Sequence, residues 1–564
     1  MHSHKILNIA SADITLQQRL SRELGISPLL AQLLLNRGIS SAEEGQKFLN
    51  PRLEDLCDPY DFKQMPQAVE RVRQAVRDKE RVLIHGDYDV DGITALALVK
   101  NTLQGLGISA GHHLPHRVKE GYGLSDEIIN KAKQQRASLL ITVDCGINNR
   151  RQISELKRNN IDVVVTDHHE PAAGLLVDAY AVINPKVKGC GYAFRDLAGV
   201  AVAYRFCQAL AKETLQEDLD LVCLGTIADV VPLVGENRVI AKEGLKKISQ
   251  SKRPGLKALI ERSGIKGRSI DSTFVNFIIA PRLNASGRMD SAEMSLDLLM
   301  SRQFDEASKL AEAVEVQNRQ RQKVEGRILQ EAQEIIDRDI NFKEHRIIVL
   351  SKKDWHPGVL GIVASKISDR FYRPTIVISV SDRLCKGSGR SIKNFHLFDA
   401  LSQCGHLLED FGGHAHAAGL VISKDSIEEF KKSINALAKK TIRLEDLLPR
   451  LDIDMEIALG QFNEKIILEL QRLEPFGAGN PEPLFYSRSL KLKGQPQILA
   501  RNTIKFRVSD GDAVFQAIGF GMSALEGNFQ QSSCFDMVYT PRMDNWQGES
   551  SIILEAKELF FRQV

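Results

Sequence analysis

Val82-Leu83-Ile84-His85-Gly86-Asp87-Tyr88-Asp89-Val90-Asp91-Gly92 passes from an apolar run directly into three acids at alternate positions. A short apolar run without polar alternation, closed by glycine, is the pattern of a strand buried on both faces. Two further runs, Leu139–Val143 and Val163–Thr166, share it and also end on polar chemistry, Asp144 and Asp167-His168-His169. Helix-patterned segments Thr94–Leu106, Ser125–Gln134 and Gln152–Asn159 separate the runs. Strand and helix in this rhythm predict a parallel α/β sheet with crossover helices. In open sheets of that kind the crevice at the carboxyl ends of the strands is the binding site. The acids and histidines are therefore expected to converge there, joined by Asp229 after the apolar run Leu219–Ala228.

Carboxylates gathered at one spot repel unless cations hold them. Carboxylate oxygens with imidazole and no thiolate favour Mn²⁺ or Mg²⁺, and several Asp able to bridge point to two ions about 3.5–4 Å apart, which activate water and clamp a phosphate. On an extended segment His168 and His169 point in different directions, so His168 is assigned to metal and His169 to substrate phosphate. For any one of these acids, turn chemistry or a helix N-cap is an equal explanation. Their coincidence at corresponding strand ends is what favours a site. Cys145, beside Asp144, reads as packing, since no base stands next to it.

At 564 residues the chain needs two or three cores. Residues 1–65 read as a lead-in, with Pro51–Pro66 lying against the first domain. The first α/β domain with a helical extension covers 66–304. A charged segment without Pro, Asp305–Arg338, predicts a long helix over 305–340 joining two lobes, its polar middle solvated or facing a ligand. A smaller α/β domain, 341–445, follows. Short β-patterned runs after the turn-rich Glu474–Pro483 predict a small barrel within 450–564. Lys plus Arg total 75 against 72 for Asp plus Glu, so attraction for nucleic acid must come from local patches. Eight cysteines without a CxxC pair, and no long apolar stretch, suggest a cytoplasmic protein in a reducing compartment.

The DYDVDG of Asp87–Gly92, the VDCGI of Val143–Ile147, the DHH of Asp167–His169 and the GTIADVVPL of Gly225–Leu233 resemble the motifs of the DHH phosphoesterase superfamily. Gly412–Gly419 is similar to the GGHxxAAG of the accompanying DHHA1 domain. With Pro281–Arg288, Glu474–Pro483 and an OB-like carboxyl end, the whole order resembles the bacterial single-strand-specific 5′→3′ exonuclease branch of that superfamily. Position by position the resemblance implies Asp87, Asp89, Asp91, Asp144, His168 and Asp229 as the metal cluster, with Asp144 bridging. His85 matches the superfamily's leading histidine, and Asp87 takes over its ligand role in this branch. Asp167 becomes a partner that orients a ring. Single-stranded DNA, a single-strand-binding protein and a RecQ-type helicase are the implied partners of a monomer acting in recombination and repair.

Gly387-Ser388-Gly389-Arg390-Ser391 offers backbone amides, hydroxyls and a guanidinium for an end phosphate, placed shortly before Gly412–Gly419. His414 either approaches the metal cleft from the facing lobe or packs inside. Arg282, Asn284 and Arg288 either contact a DNA backbone or cap helices. Phe506, Phe515 and Phe520 are stackers or core. A phosphodiesterase of short oligonucleotides or cyclic dinucleotides explains the acids equally well, but leaves the long helix and the β region after 450 without a use. A binding scaffold with a dead site is disfavoured by intact acids at every motif.

Overall fold

The structure, a computed structural model, describes residues 5–172, 174, 176–264, 270–546 and 549–561, with side chains described outside 545–550. It divides into two compact units. The first holds Cys57–Asp229 and Gly244–Pro449, and the second Lys5–Leu56, Val230–Glu243 and Arg450–Val564.

In the first unit, five parallel strands lie in the order Gly111–His113, Val82–Gly86, Leu139–Val143, Asp162–Thr166, Ala181–Ile183. Strand order reverses beside Val82–Gly86, so the switch point of the sheet falls between it and Leu139–Val143. Both strands are buried throughout. The helices Val90–Gly105 and Gly199–Ala211 pack on each other and are buried almost all round, which explains their lack of a polar face. At the opposite, amino ends of the strands one guanidinium gathers three segments. Arg71 donates to Glu80 Oε2 at 2.7 Å, to Asp162 Oδ2 at 2.6 Å and to the Ser138 carbonyl at 3.4 Å.

The long helix runs Phe304–Asp339, as its pattern predicted. Its polar middle is exposed at Arg319, Gln320, Gln322 and Lys323, as expected, but not throughout. Asn318, Arg321 and Glu325 are buried, and Arg321 donates to both neighbours at 2.7 and 2.5 Å. Beyond it a mixed sheet has the order Asp410–Gly413, Ala417–Ser423, Leu384–Arg390, Thr375–Val380, Ile348–Lys353. Gly387–Arg390 therefore belongs to a central strand rather than a loop, and its backbone is paired on both sides. Glycine is needed there for packing: a Cβ at Gly389 would lie 2.7 Å from Leu397 Cδ2, and one at Gly387 2.9 Å from Leu420 Cδ1. Ser388 and Arg390 project together on the other face.

In the second unit five strands close a barrel in the order Phe485–Leu492, Thr503–Ser509, Val514–Gly519, Glu549–Phe561, Phe535–Trp546, with Val514–Gly519 and Glu549–Phe561 parallel. This is OB topology. The amino-terminal helices Ile14–Leu24, Pro28–Asn36 and Ala42–Leu49 put Leu20, Leu30, Leu33 and Phe48 into the same core as Phe485, Phe506 and Tyr539. The amino terminus is thus part of this unit, and the chain crosses to the first unit inside the Pro51–Pro66 stretch. Within the same unit the buried Arg238 donates to the carbonyls of Phe48, Arg472, Leu473, Glu474 and Pro475, which accounts for the Glu474–Pro483 turn as a structural knot. Phe506 is core, Phe515 is half-buried, and Phe520 is 60% exposed.

Candidate active site

Asp87 and Asp89 leave the end of Val82–Gly86, and Asp89 caps the next helix by accepting from the amides of Asp91 at 3.0 Å and Gly92 at 3.2 Å. Gly92 is obligatory, because a Cβ there would lie 2.5 Å from the Asp87 carbonyl oxygen. Asp91 is buried, and its two oxygens each accept a 2.7 Å hydrogen bond, from Gly199 and Val200 at the start of Gly199–Ala211. Asp144 follows Leu139–Val143 with φ +61°. A left-handed aspartate at a strand end is backbone strain of the kind held at functional sites. The apolar run before Asp229 is a helix, Leu219–Ala228, so Asp229 reaches the site from a helix end. Val230 after it also has φ +61°, which is costly for a β-branched residue.

These donors form three overlapping groups, Asp87–Asp89–Asp144, Asp91–His168–Asp229 and Asp144–His168–His169, each with its ligand atoms within 4.8 Å. His168 Nε2 stands 3.2 Å from Asp144 Oδ1, 3.6 Å from Asp229 Oδ2 and 3.9 Å from Asp91 Oδ2. Burial, then its charged neighbour His169, pushes the His168 imidazole down to about 3, leaving it neutral. Burial and then the neighbouring carboxylates push Asp87, Asp144 and Asp229 well up, and Asp91 up to about 7. Buried Asp87 Oδ1, Asp144 Oδ1 and His168 Nε2 have no hydrogen-bond partner in the protein. Hard oxygen donors, one neutral imidazole and orphaned buried lone pairs fit Mn²⁺ or Mg²⁺.

Asp167 behaves as the orienting partner. It accepts from the His169 ring at 2.8 Å and from the amides of Ile147, His168 and His169. Burial alone pushes it up, but the His169 hydrogen bond and charge hold it below its ordinary value. Asn184, after Ala181–Ile183, donates to the His169 carbonyl at 3.0 Å. His85 joins none of the donor groups; its Nε2 meets the Gly123 carbonyl at 3.2 Å. Cys145 is buried core.

Of the expected substrate contacts, Arg288 stays by the cluster. Burial, then Arg117 and Arg321, with Arg390 also nearby, pushes its guanidinium down to about 9, while Asp89 acts in the other direction. Arg390 and Ser388 approach the start of the helix Leu360–Phe371, where a Cβ at Gly361 would lie 3.0 and 3.1 Å from them. His414 is exposed in the turn after Asp410–Gly413, close enough to Arg390 and His169 to feel both charges. Three other expected contacts have partners inside the protein, and for Asn284 this is the helix-capping alternative. Arg282 pairs with Glu315 at 2.7 Å and donates to the Ile278 carbonyl. Asn284 Oδ1 accepts from the Val90 amide at 3.1 Å, so it holds the helix start. The Ser391 hydroxyl donates to the Phe395 carbonyl at 2.7 Å. Sequence reasoning missed Arg117 and Tyr122, on the loop after the three-residue edge strand Gly111–His113. Arg117 lies 4.7 Å over the Tyr88 ring, and the Tyr122 hydroxyl 2.9 Å from His169 Nδ1.

Family models match along the chain: DHH family, N-terminal domain, over residues 81–226, DHHA1 domain over 344–440, and RecJ OB domain over 453–558. The single-stranded-DNA-specific exonuclease RecJ of Bacillus subtilis is 37% identical over 542 residues, 96% of this chain and 69% of its own. The crystal structure of RecJ with Mn²⁺ from Thermus thermophilus superposes with a TM-score of 0.86 at 28% identity, covering 100% of this chain and 81% of that one. The Mg²⁺ complex of the same protein gives 0.80 at 27% identity, covering 100% and 80%. With 37% identity over 96% of its length and family models matching all three regions, this chain belongs to the RecJ family of single-stranded-DNA-specific exonucleases.

Proposed function

We propose that the protein hydrolyses single-stranded DNA from its 5′ end, releasing 5′-mononucleotides, with two divalent cations held by Asp87, Asp89, Asp91, Asp144, His168 and Asp229. The observation that carries this reading is the meeting of orphaned carboxylate and imidazole atoms, from separate strand and helix ends, with an arginine group opposite them. Bound cations supply Lewis acidity and the activation of water. The chain's own residues do the rest. Arg117, Arg288, Ser388 and Arg390 hold the terminal 5′ phosphate, so the bond presented to the cluster is one nucleotide inward. Asp167 and Tyr122 fix the His169 ring at Nδ1, leaving Nε2 to meet a phosphate oxygen. A cleft that grips one backbone this closely excludes a second strand by sterics.

In this reading 66–304 carries the metals, 305–340 joins the lobes, 341–445 grips the strand end, and the barrel in 450–564 holds the trailing strand. Its partners are a single-strand-binding protein and a RecQ-type helicase, the enzyme is a cytoplasmic monomer, and its role is in recombination and repair. Among the described residues, no helix is long and apolar enough to cross a membrane. The test is metal-dependent digestion of 5′- and 3′-labelled single strands, with blunt duplex and cyclic dinucleotides as controls. Early loss of the 3′ label, or preferred cutting of cyclic dinucleotides, would overturn it.

A further inference from the structure

The loop between Gly111–His113 and the helix Asp126–Gln134 has no regular structure of its own beyond one turn around His116, yet it delivers two side chains to the site. Arg117 lies over Tyr88 and close to Arg288 and Arg390, and Tyr122 reaches His169. Gly121 and Gly123, with φ +84° and +81°, flank Tyr122 and make the bend.

What holds this loop is one half-buried carboxylate. Glu120 Oε1 accepts from the His116 amide at 2.8 Å. Its Oε2 lies 3.0 Å from His113 Nε2 and accepts from the Ser125 hydroxyl at 2.8 Å. An ionised carboxylate only accepts, so His113 carries its proton on Nε2. The Lys131 ammonium, 3.4 Å from Nδ1, suits that tautomer. Burial pushes Glu120 up, but the His116 amide, His113 and Ser125 together hold it below its ordinary value. The loop is also fastened elsewhere, among other points by the Tyr122 hydroxyl, which donates to the Asp144 carbonyl at 3.3 Å. His85 Nε2 meets the Gly123 carbonyl at 3.2 Å, its ring stacked 5.3 Å from that of His113, and Lys386 donates to the Val118 carbonyl at 2.6 Å.

We propose that Glu120 is the positioning residue of this site: it clasps the 115–123 loop so that Arg117 faces the strand end and Tyr122 fixes His169. The inference rests on the exonuclease reading for its consequence, but not for the clasp itself. Glu120 touches neither the donor groups nor the arginines, and acts through the loop alone. A glutamine would keep one acceptor oxygen and set an amide N–H2 against a donor, so Glu120→Gln loosens the clasp while keeping the shape.

Two measurements on the full chain test this. Hydrogen exchange of peptides spanning 115–123 should be faster in Glu120→Gln than in the wild type, with the rest of the first unit unchanged. This needs no substrate, and unchanged exchange in the loop would overturn the clasp even if the exonuclease reading failed. Fluorescence anisotropy in EDTA then compares one oligonucleotide with a 5′ phosphate and with a 5′ hydroxyl. The wild type's preference for the phosphate should fall on the order of 10-fold in Glu120→Gln and in Arg117→Ala, with no further fall in the double variant. Independent, additive losses, or a preference kept in Glu120→Gln, would leave Glu120 as a structural residue only.

Discussion

Gly199 and Asp91 are joined by a 2.7 Å hydrogen bond from the glycine amide to Asp91 Oδ2, and a side chain on that glycine would overlap Asp144. One small residue thus orients the first motif of the site and leaves room for the second. It also turns the amino end of Gly199–Ala211 toward two carboxylates, where the helix dipole favours negative charge. Gly199→Ala should lower turnover by about 100-fold, the order expected from displacing a reacting group by an ångström, while costing only about 1–3 kcal/mol of stability through overpacking. Turnover and thermal unfolding measured together check this; near-normal turnover would mean that Asp144 can move without consequence.

Removing charge from the cluster should have opposite effects on stability and activity. Burial and mutual repulsion push Asp87, Asp144 and Asp229 well up, so ionising them in the folded state is costly, and bound cations relieve that cost. Asp144→Asn should abolish turnover, raise the melting temperature in EDTA, and shrink the rise that Mn²⁺ produces in the wild type. A variant that melts lower in EDTA and responds normally to Mn²⁺ would contradict the metal assignment.

In the proposed function Arg390 bears on the choice of strand end. A charged, bidentate contact contributes roughly 1.5–3 kcal/mol, so Arg390→Ala should reduce the rate advantage of a 5′-phosphorylated end by about 10- to 100-fold. Initial rates on matched phosphorylated and hydroxyl strands give the ratio. Equal losses on both would remove Arg390 from the pocket.

The parts legible in the sequence were those where burial and chemistry coincide. Val82–Gly86 and Leu139–Val143 are covered on both faces, so their apolar runs announce strands and their ends announce the site. Gly111–His113 is an edge strand with two histidines and no apolar run, and the loop that follows it, with Arg117, Glu120 and Tyr122, was hidden with it. Gly387–Ser391 has turn composition, but its glycines answer to Leu397 on a helix and Leu420 on the neighbouring strand, a tertiary demand that local pattern cannot carry. The apolar run before Asp229 fits a buried helix as well as a buried strand. Likewise nothing local ties the helices before Leu56 to a barrel built from residues more than four hundred positions away.

Arg71 should matter for stability and not for chemistry, since it works at the amino ends of the strands. Arg71→Met leaves Glu80 without its nearest cation and should cost about 2–3 kcal/mol, the worth of charged hydrogen bonds in a partly buried setting, with turnover unchanged. Burial pushes the Glu80 carboxyl up, but Arg71 and Ser138 hold it below its ordinary value. A depressed folded value stabilises above the unfolded range and is lost as pH falls through the folded one. The stability gap between wild type and variant should therefore be widest near neutral pH and narrow below about pH 4. Denaturant titrations across that range check the sign, and a gap that widens on acidification would refute the stabilising role of the Arg71–Glu80 pair.

The barrel and the amino-terminal helices share one core, which decides how strand tracking can be tested. Deleting residues after 450 is not a clean test, because Leu20, Leu30, Leu33 and Phe48 would lose the core they share with Phe485 and Phe506. Point changes on the barrel's outer face leave that core alone. Lys505 and Arg507 alternate with buried Ile504, Phe506 and Val508. Lys491 pairs with Ser509 in the neighbouring strand, so the three cations share one face. Val514, Gln516 and Ile518 continue that face by register. A single strand tracked by such a surface releases counterions on binding, with log K falling by about 0.7 per phosphate neutralised for each unit of log salt. Replacing Lys491, Lys505 and Arg507 by Gln should weaken binding of long single strands and flatten the salt dependence by about 2 in slope. Hydrolysis of very short oligonucleotides and the exclusion of blunt duplex should be unaffected, since the proposed function assigns those to the metal cluster and to Arg288 and Arg390. Anisotropy titrations at several salt concentrations, with initial rates on a short oligomer, a long strand and a blunt duplex, separate the two. An unchanged slope would move the trailing strand off this face, and a gain of blunt-duplex cutting would show that the barrel, not the narrow cleft, keeps the second strand out.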